Sequence, residues 1–102
     1  MILYNVTVRV DADIAEEWLN WMKSTHIPDV MRTGYFVDYK VMRILQPAQE
    51  DDSITYAVQY FCEDQEQLEA YWQKEAPALQ KEHTDKYSDK ALAFRTVMEV
   101  IQ

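Results

Sequence analysis

The segment from Ile2 to Val10 keeps a strict two-residue period. Ile2, Tyr4, Val6, Val8 and Val10 fall on one side, and Leu3, Asn5, Thr7 and Arg9 on the other. Side chains of a strand alternate between faces, so a β-branched run with this period reads as a half-buried strand. The period recurs in Tyr35–Leu45 (Tyr35, Val37, Tyr39, Val41) and in Ile54–Cys62 (Ile54, Tyr56, Val58, Tyr60, Cys62). Ala91 to Ile101 reads as a fourth strand. Helical spacing fills the gaps: Ile14, Trp18, Trp21 and Met22 form one stripe, and Leu68, Tyr71 and Trp72 open another that Leu79, His83 and Tyr87 continue. Strand, helix, strand, strand, helix, strand is the βαββαβ order of a ferredoxin-like α+β fold. It predicts a four-stranded antiparallel sheet with two helices on one face.

Local signals refine the boundaries. Asp13 with Glu16 and Asp64 with Gln67 have the spacing of capping boxes. The first helix is expected to fail near His26–Ile27–Pro28, because a residue before proline avoids the α region. Pro28 then opens a short helix through Met31, and Gly34 supplies a left-handed stop. Pro77 kinks or restarts the second helix. The acidic segment Gln46–Ser53 turns strand two into strand three as a hairpin, and Ser88–Asp89 forms a turn before the last strand.

With 102 residues, the chain fits one domain spanning 1–102. Its inventory of one Gly, one Cys and two His supplies no Gly-rich phosphate loop, disulfide, Cys-based zinc site or iron–sulfur cluster. A net charge of −8, from 18 acids and 10 bases, is the wrong sign for nucleic acid or an anionic membrane surface. No stretch nears the ~20 apolar residues of a membrane span. The opening MILYNVTVRV lacks the cationic start and cleavage site of a signal peptide. A lone Cys without such a signal fits a reducing cytoplasm.

The helix-facing layer is expected to be aromatic: Tyr4, Tyr39, Tyr56, Tyr60 and Phe94 under Trp18, Trp21 and Trp72. The opposite face mixes Asn5, Thr7, Arg9, Asp38, Lys40, Thr55, Gln59, Arg95 and Glu99 with Leu3, Met42, Ala57, Phe61 and Val97. That composition is too apolar to be wholly solvated. Packing against a second copy would give a C2 homodimer through the open sheet face.

Several segments together resemble a small bacterial family of unassigned function. They are Trp18–Lys23, His26-Ile27-Pro28-Asp29-Val30, Thr33-Gly34-Tyr35-Phe36, the opening Ile2–Thr7, Thr55–Tyr60, Ala76–Leu79 and Ala93–Thr96. The resemblance covers essentially the whole chain. It implies membership of the dimeric α+β barrel group of ferredoxin-like folds. That group includes cofactor-independent monooxygenases, haem-degrading enzymes, dehalogenating or isomerising enzymes, and non-catalytic binding domains.

Candidate chemistry centres on the two histidines. His26, at the end of helix one, has the residue type for a general base or ligand contact, with an ordinary pKa of about 6.5. The alternative is a hydrogen bond to the last helical carbonyls. Asp29 either orients that imidazole or caps the short helix. His83 shares a face with Leu79 and Tyr87, as a base or as a satisfied histidine at the core's rim. Two histidines without a nearby Cys or a placed carboxylate make no metal site. No cofactor is assigned, and a haem held by one histidine rests on analogy alone.

Trp21, Tyr39, Tyr60 and Trp72 would line a pocket for a small planar ligand, or simply fill the core. Such a pocket would measure ~300 Å³ or more. Arg95 and Arg9 would bind a carboxylate, or pair with a neighbour such as Glu99. Cys62 reads as a small buried hydrophobe. Glu50–Asp52 reads as an idle hairpin tip, and the acids of the second helix as its solvated face. The reading carried forward is a binding domain for a small planar organic ligand. The alternatives are a cofactor-independent enzyme, monooxygenase- or isomerase-like, with His26 or His83 as base, and an interaction protein without a ligand.

Overall fold

A computed structural model describes residues 1–102. Strands β1 (Ile2–Val10), β2 (Asp38–Arg43), β3 (Ile54–Cys62) and β4 (Ala91–Glu99) form one sheet in the order β2-β3-β1-β4, with every pairing antiparallel. The helical layer lies on one face in two arms. The first runs through α1 (Ala15–Trp21), a π-helical turn (Met22–His26) and α2 (Ile27–Arg32). The second is α3 (Gln65–Lys74) followed by α4 (Ala76–Tyr87). This is the expected ferredoxin-like βαββαβ architecture. The core is a single cluster between sheet and arms, with Trp18, Ile27, Leu68, Val8, Val10, Val58 and Cys62 among its most buried members.

Several local expectations hold. Asp64 Oδ1 accepts the Gln67 amide at 2.9 Å and caps α3. Pro77 sits in the first turn of α4, where its missing N–H costs nothing. Gly34 stops α2 at φ +84°. Ser88, at φ 52°, ends α4 and opens a 3-10 turn into β4.

Others are corrected. Asp13 and Glu16 form no capping box; a 3-10 turn over Ala12–Ile14 leads into α1 with no side-chain cap. The first arm does not break before Pro28. The Ile27 amide instead bonds to the Met22 carbonyl five residues back. A π turn is wider than an α turn, so it eases the clash between the proline ring and the preceding turn. It also lets Met22 and Ile27, five positions apart, both be buried. β2 begins at Asp38, later than the sequence pattern suggests. Phe36 takes the core position and leaves Val37 exposed.

The largest correction concerns β4. Its register pairs Val10 with Ala91, Val8 with Ala93, Val6 with Arg95 and Tyr4 with Val97. Arg95, Val97 and Glu99 therefore lie on the helix-facing side, and Phe94 on the open face, the reverse of the expected arrangement. A one-residue slip inverts every side chain of a strand. Ala91 is buried, and small residues lie where the helical layer meets the start of β4. The open face then reads in cross-strand rows: Met98–Leu3–Phe61–Asp38, Thr96–Asn5–Gln59–Lys40 and Phe94–Thr7–Ala57–Met42.

Candidate functional site

Between sheet and arms lies a partly open cavity of about 40 Å³. Its floor is Val6 and Val58 on the two central strands, with the exposed Arg95 beside them on the edge strand β4 at the mouth. Tyr4 and Tyr60 come from the next row. Met22, His26 and Val30 reach in from the first arm, and Tyr71, Leu79, Gln80 and His83 from the second. The volume is well under the ~300 Å³ expected of a pocket for a whole planar ligand. It is room for about three waters, or for one compact polar group.

The π turn brings His26 to the cavity wall, and α4 brings His83, with their ring centroids 6.0 Å apart. Trp18 Nε1–H donates to His83 Nε2 at 2.9 Å. That nitrogen is therefore unprotonated, and the neutral ring carries its proton on Nδ1. His26 Nδ1 is buried and has no hydrogen-bond partner. Burial lowers the His26 pKa to about 4, with His83 and Arg95 also lowering it and Asp29 opposing them. Burial, then Arg95, lowers His83 as well. Both rings are thus uncharged at neutral pH. Burial pushes the phenols of Tyr60 and Tyr71 far above their ordinary range, so both remain protonated.

Of the residues singled out from sequence, His26, His83, Tyr60 and Arg95 come together at this cavity. Trp21, Tyr39 and Trp72 do not line it. Trp21 packs on His26 and His83 at centroid distances of 5.2 and 6.0 Å, holding both rings from behind. Tyr39 lies across from Tyr60 on the edge strand, 45% exposed, beyond the cover of the helices. Trp72 sets its edge against Tyr4 at 5.7 Å and is 37% exposed. Tyr71 and Gln80 line the cavity without having been named as site residues. The Leu68–Tyr71 stripe signals the first; nothing in the sequence signals the second.

Arg95 makes no ion pair with Glu99; its Nε–H donates to Tyr4 Oη at 3.1 Å. Arg9 pairs with Asp51 and donates to Ser53, so the hairpin tip is tied to β1 and is not idle. Asp29 pairs with Arg32. Cys62 is fully buried and free, and burial raises its thiol pKa. No group of three or more His, Cys, Asp or Glu residues converges as metal ligands would, and no helix is long and apolar enough to cross a membrane.

Sheet order and helical layer together define a ferredoxin-like α+β fold. Three solved structures share the architecture. One is an ethyl tert-butyl ether d (ethd) family protein from Bacillus halodurans, with 20% identity, TM-score 0.68, and coverage of 99% of this chain and 100% of that one. HapK from Hahella chejuensis has 13% identity, TM-score 0.71, and coverage of 99% and 93%. A dimeric ferredoxin-like protein from an uncultured marine organism has 11% identity, TM-score 0.64, and coverage of 99% and 96%. At these identities the likeness is one of fold. No curated protein matches the chain in sequence. Within this class the chain belongs to the family described as Domain of unknown function (DUF4286), which matches residues 1–101.

Proposed function

We propose that the protein is a homodimeric binding domain that holds a small organic ligand by its polar end in the helix–sheet cavity. The observation carrying this reading is His26 Nδ1, a buried nitrogen with no partner on a residue of the cavity wall. Buried polar atoms are ordinarily paired, and a hydrogen-bonding group of a ligand would complete this one. The cavity holds only a compact group, so a planar ligand body extends through the mouth. The open sheet face supports the dimer. Phe94 is 61% exposed there, with Leu92 and Met98 exposed on the same strand and Met42 on the far edge strand, apolar side chains that a second copy would cover. One structural neighbour is itself described as dimeric. The free, buried Cys62 is compatible with a reducing cytoplasm.

Native mass spectrometry of the purified protein tests both parts. The expected species has twice the 12.1 kDa chain mass and carries a low-mass organic adduct that His26→Leu loses. A monomer would overturn the dimer, and a wild-type protein without any adduct would overturn the binding reading. The same unpartnered nitrogen favours a second reading, an enzyme with His26 as general base. A base with a pKa of about 4 is weak at neutral pH, which puts binding ahead. His83 is the poorer base, since Trp18 occupies its Nε2 lone pair.

A further inference from the structure

We propose that the ligand is an organic monoanion, a carboxylate or a similarly flat oxyanion, whose charge is taken by Arg95 at the cavity mouth. This rests on the binding reading above and specifies the chemistry of its ligand. The first observation is one of charge. The chain carries 18 acids against 10 bases, yet no Asp or Glu lines the cavity and Arg95 is the single cationic side chain that does. In so acidic a protein an arginine readily finds a carboxylate. Arg9 has Asp51 and Arg32 has Asp29. Arg95 has none, although Glu99 lies on the same face of the same strand.

The second observation is geometric. A guanidinium has five N–H donors in a fixed plane. Arg95 uses one of them, Nε–H, on the hydroxyl of Tyr4, a residue only 2% exposed and therefore firmly placed. That bond orients the plane and leaves the two terminal amino groups unpaired. Their outward edge matches a planar two-oxygen group through two parallel hydrogen bonds.

The surroundings favour the same class of ligand. The rings of His26 and His83 are uncharged and the phenols of Tyr60 and Tyr71 stay protonated, so these side chains offer hydrogen bonds without a competing negative charge. A cation entering here would meet Arg95 with no compensating acid. A carboxylate would neutralise it among largely apolar walls, where charge attraction exceeds its value in water. The volume of about 40 Å³ suits one such head group.

Nuclear magnetic resonance titration tests this with acids and their uncharged isosteres: acetate against acetamide, and benzoate against benzamide. The ring resonances of His26 and His83 report on the cavity itself. The acids are expected to shift both rings saturably and to bind roughly tenfold or more tightly than the amides, as for a charge-assisted pair. Arg95→Gln should abolish that preference, and Arg95→Lys should retain part of it. Both variants also remove the Nε–H partner of the buried Tyr4 hydroxyl, so a cooperative melting transition establishes that each is folded before it is titrated. Equal binding of acid and amide, or an unchanged preference in Arg95→Gln, overturns the anion inference and leaves the binding reading standing. If no compound of either series shifts the histidine rings, both fail.

Discussion

Trp18, His83 and His26 form a chain of three rings whose electrostatics have a measurable outcome. Trp18 is fully buried, and its bond to His83 ties α1 to α4. The His26 pKa falls from an ordinary 6.5 to about 4 in the folded state. The unfolded chain therefore binds more protons than the folded one between those values. The stabilisation is complete above pH 6.5 and is lost as pH falls toward 4, by up to about 3 kcal/mol for this residue. His83 acts in the same direction. Urea unfolding at pH 7 and pH 4.5 should show wild type losing more stability on acidification than His26→Gln; an equal loss would show that His26 contributes nothing to acid sensitivity. The two histidines were legible as cavity residues because each ends or continues an apolar helical stripe. Arg95 was legible as a ligand contact by residue type but not by face. β4 carries apolar residues at both parities, so its two-residue period does not say which side meets the helices.

The helices show how much weight each local signal carries. Asp64 caps α3 through the Gln67 amide, while Asp13, with the same spacing to its partner, caps nothing. Asp64→Ala is therefore expected to cost about 1 kcal/mol, and Asp13→Ala less than about 0.5 kcal/mol, both read from urea unfolding. Equal effects would contradict the assignment of caps. Gly34→Ala meets no atom within 4 Å of its new Cβ, so its cost, about 1 kcal/mol, comes from the backbone at φ +84° alone. Sequence marked Pro28 as a break because proline interrupts an ordinary α-helix. The π turn that carries the chain past it depends on packing: Met22 and Ile27 must both reach the core. Tertiary burial settled that point, and no residue-by-residue propensity contains it.

For the molecule as a whole, the order of periodic runs was enough to define the sheet, because few topologies satisfy βαββαβ with short connections. The character of its open face was not, since the β4 slip hid Phe94 and Met98 from that surface. With them in place the proposed dimer has a specific weak point. Phe94→Asp should sediment as a monomer at micromolar concentration with its helical circular dichroism intact, and wild type is expected to sediment as a dimer. A dimeric Phe94→Asp protein would put the interface elsewhere. β4 also has a mechanical consequence. Its consecutive residues serve different surfaces, Phe94 and Thr96 outside, Arg95 inside. They share one rigid backbone, so any movement that reseats the outer pair also swings the guanidinium. The two sides of the sheet are separated, for the purpose of communication, by a single peptide bond.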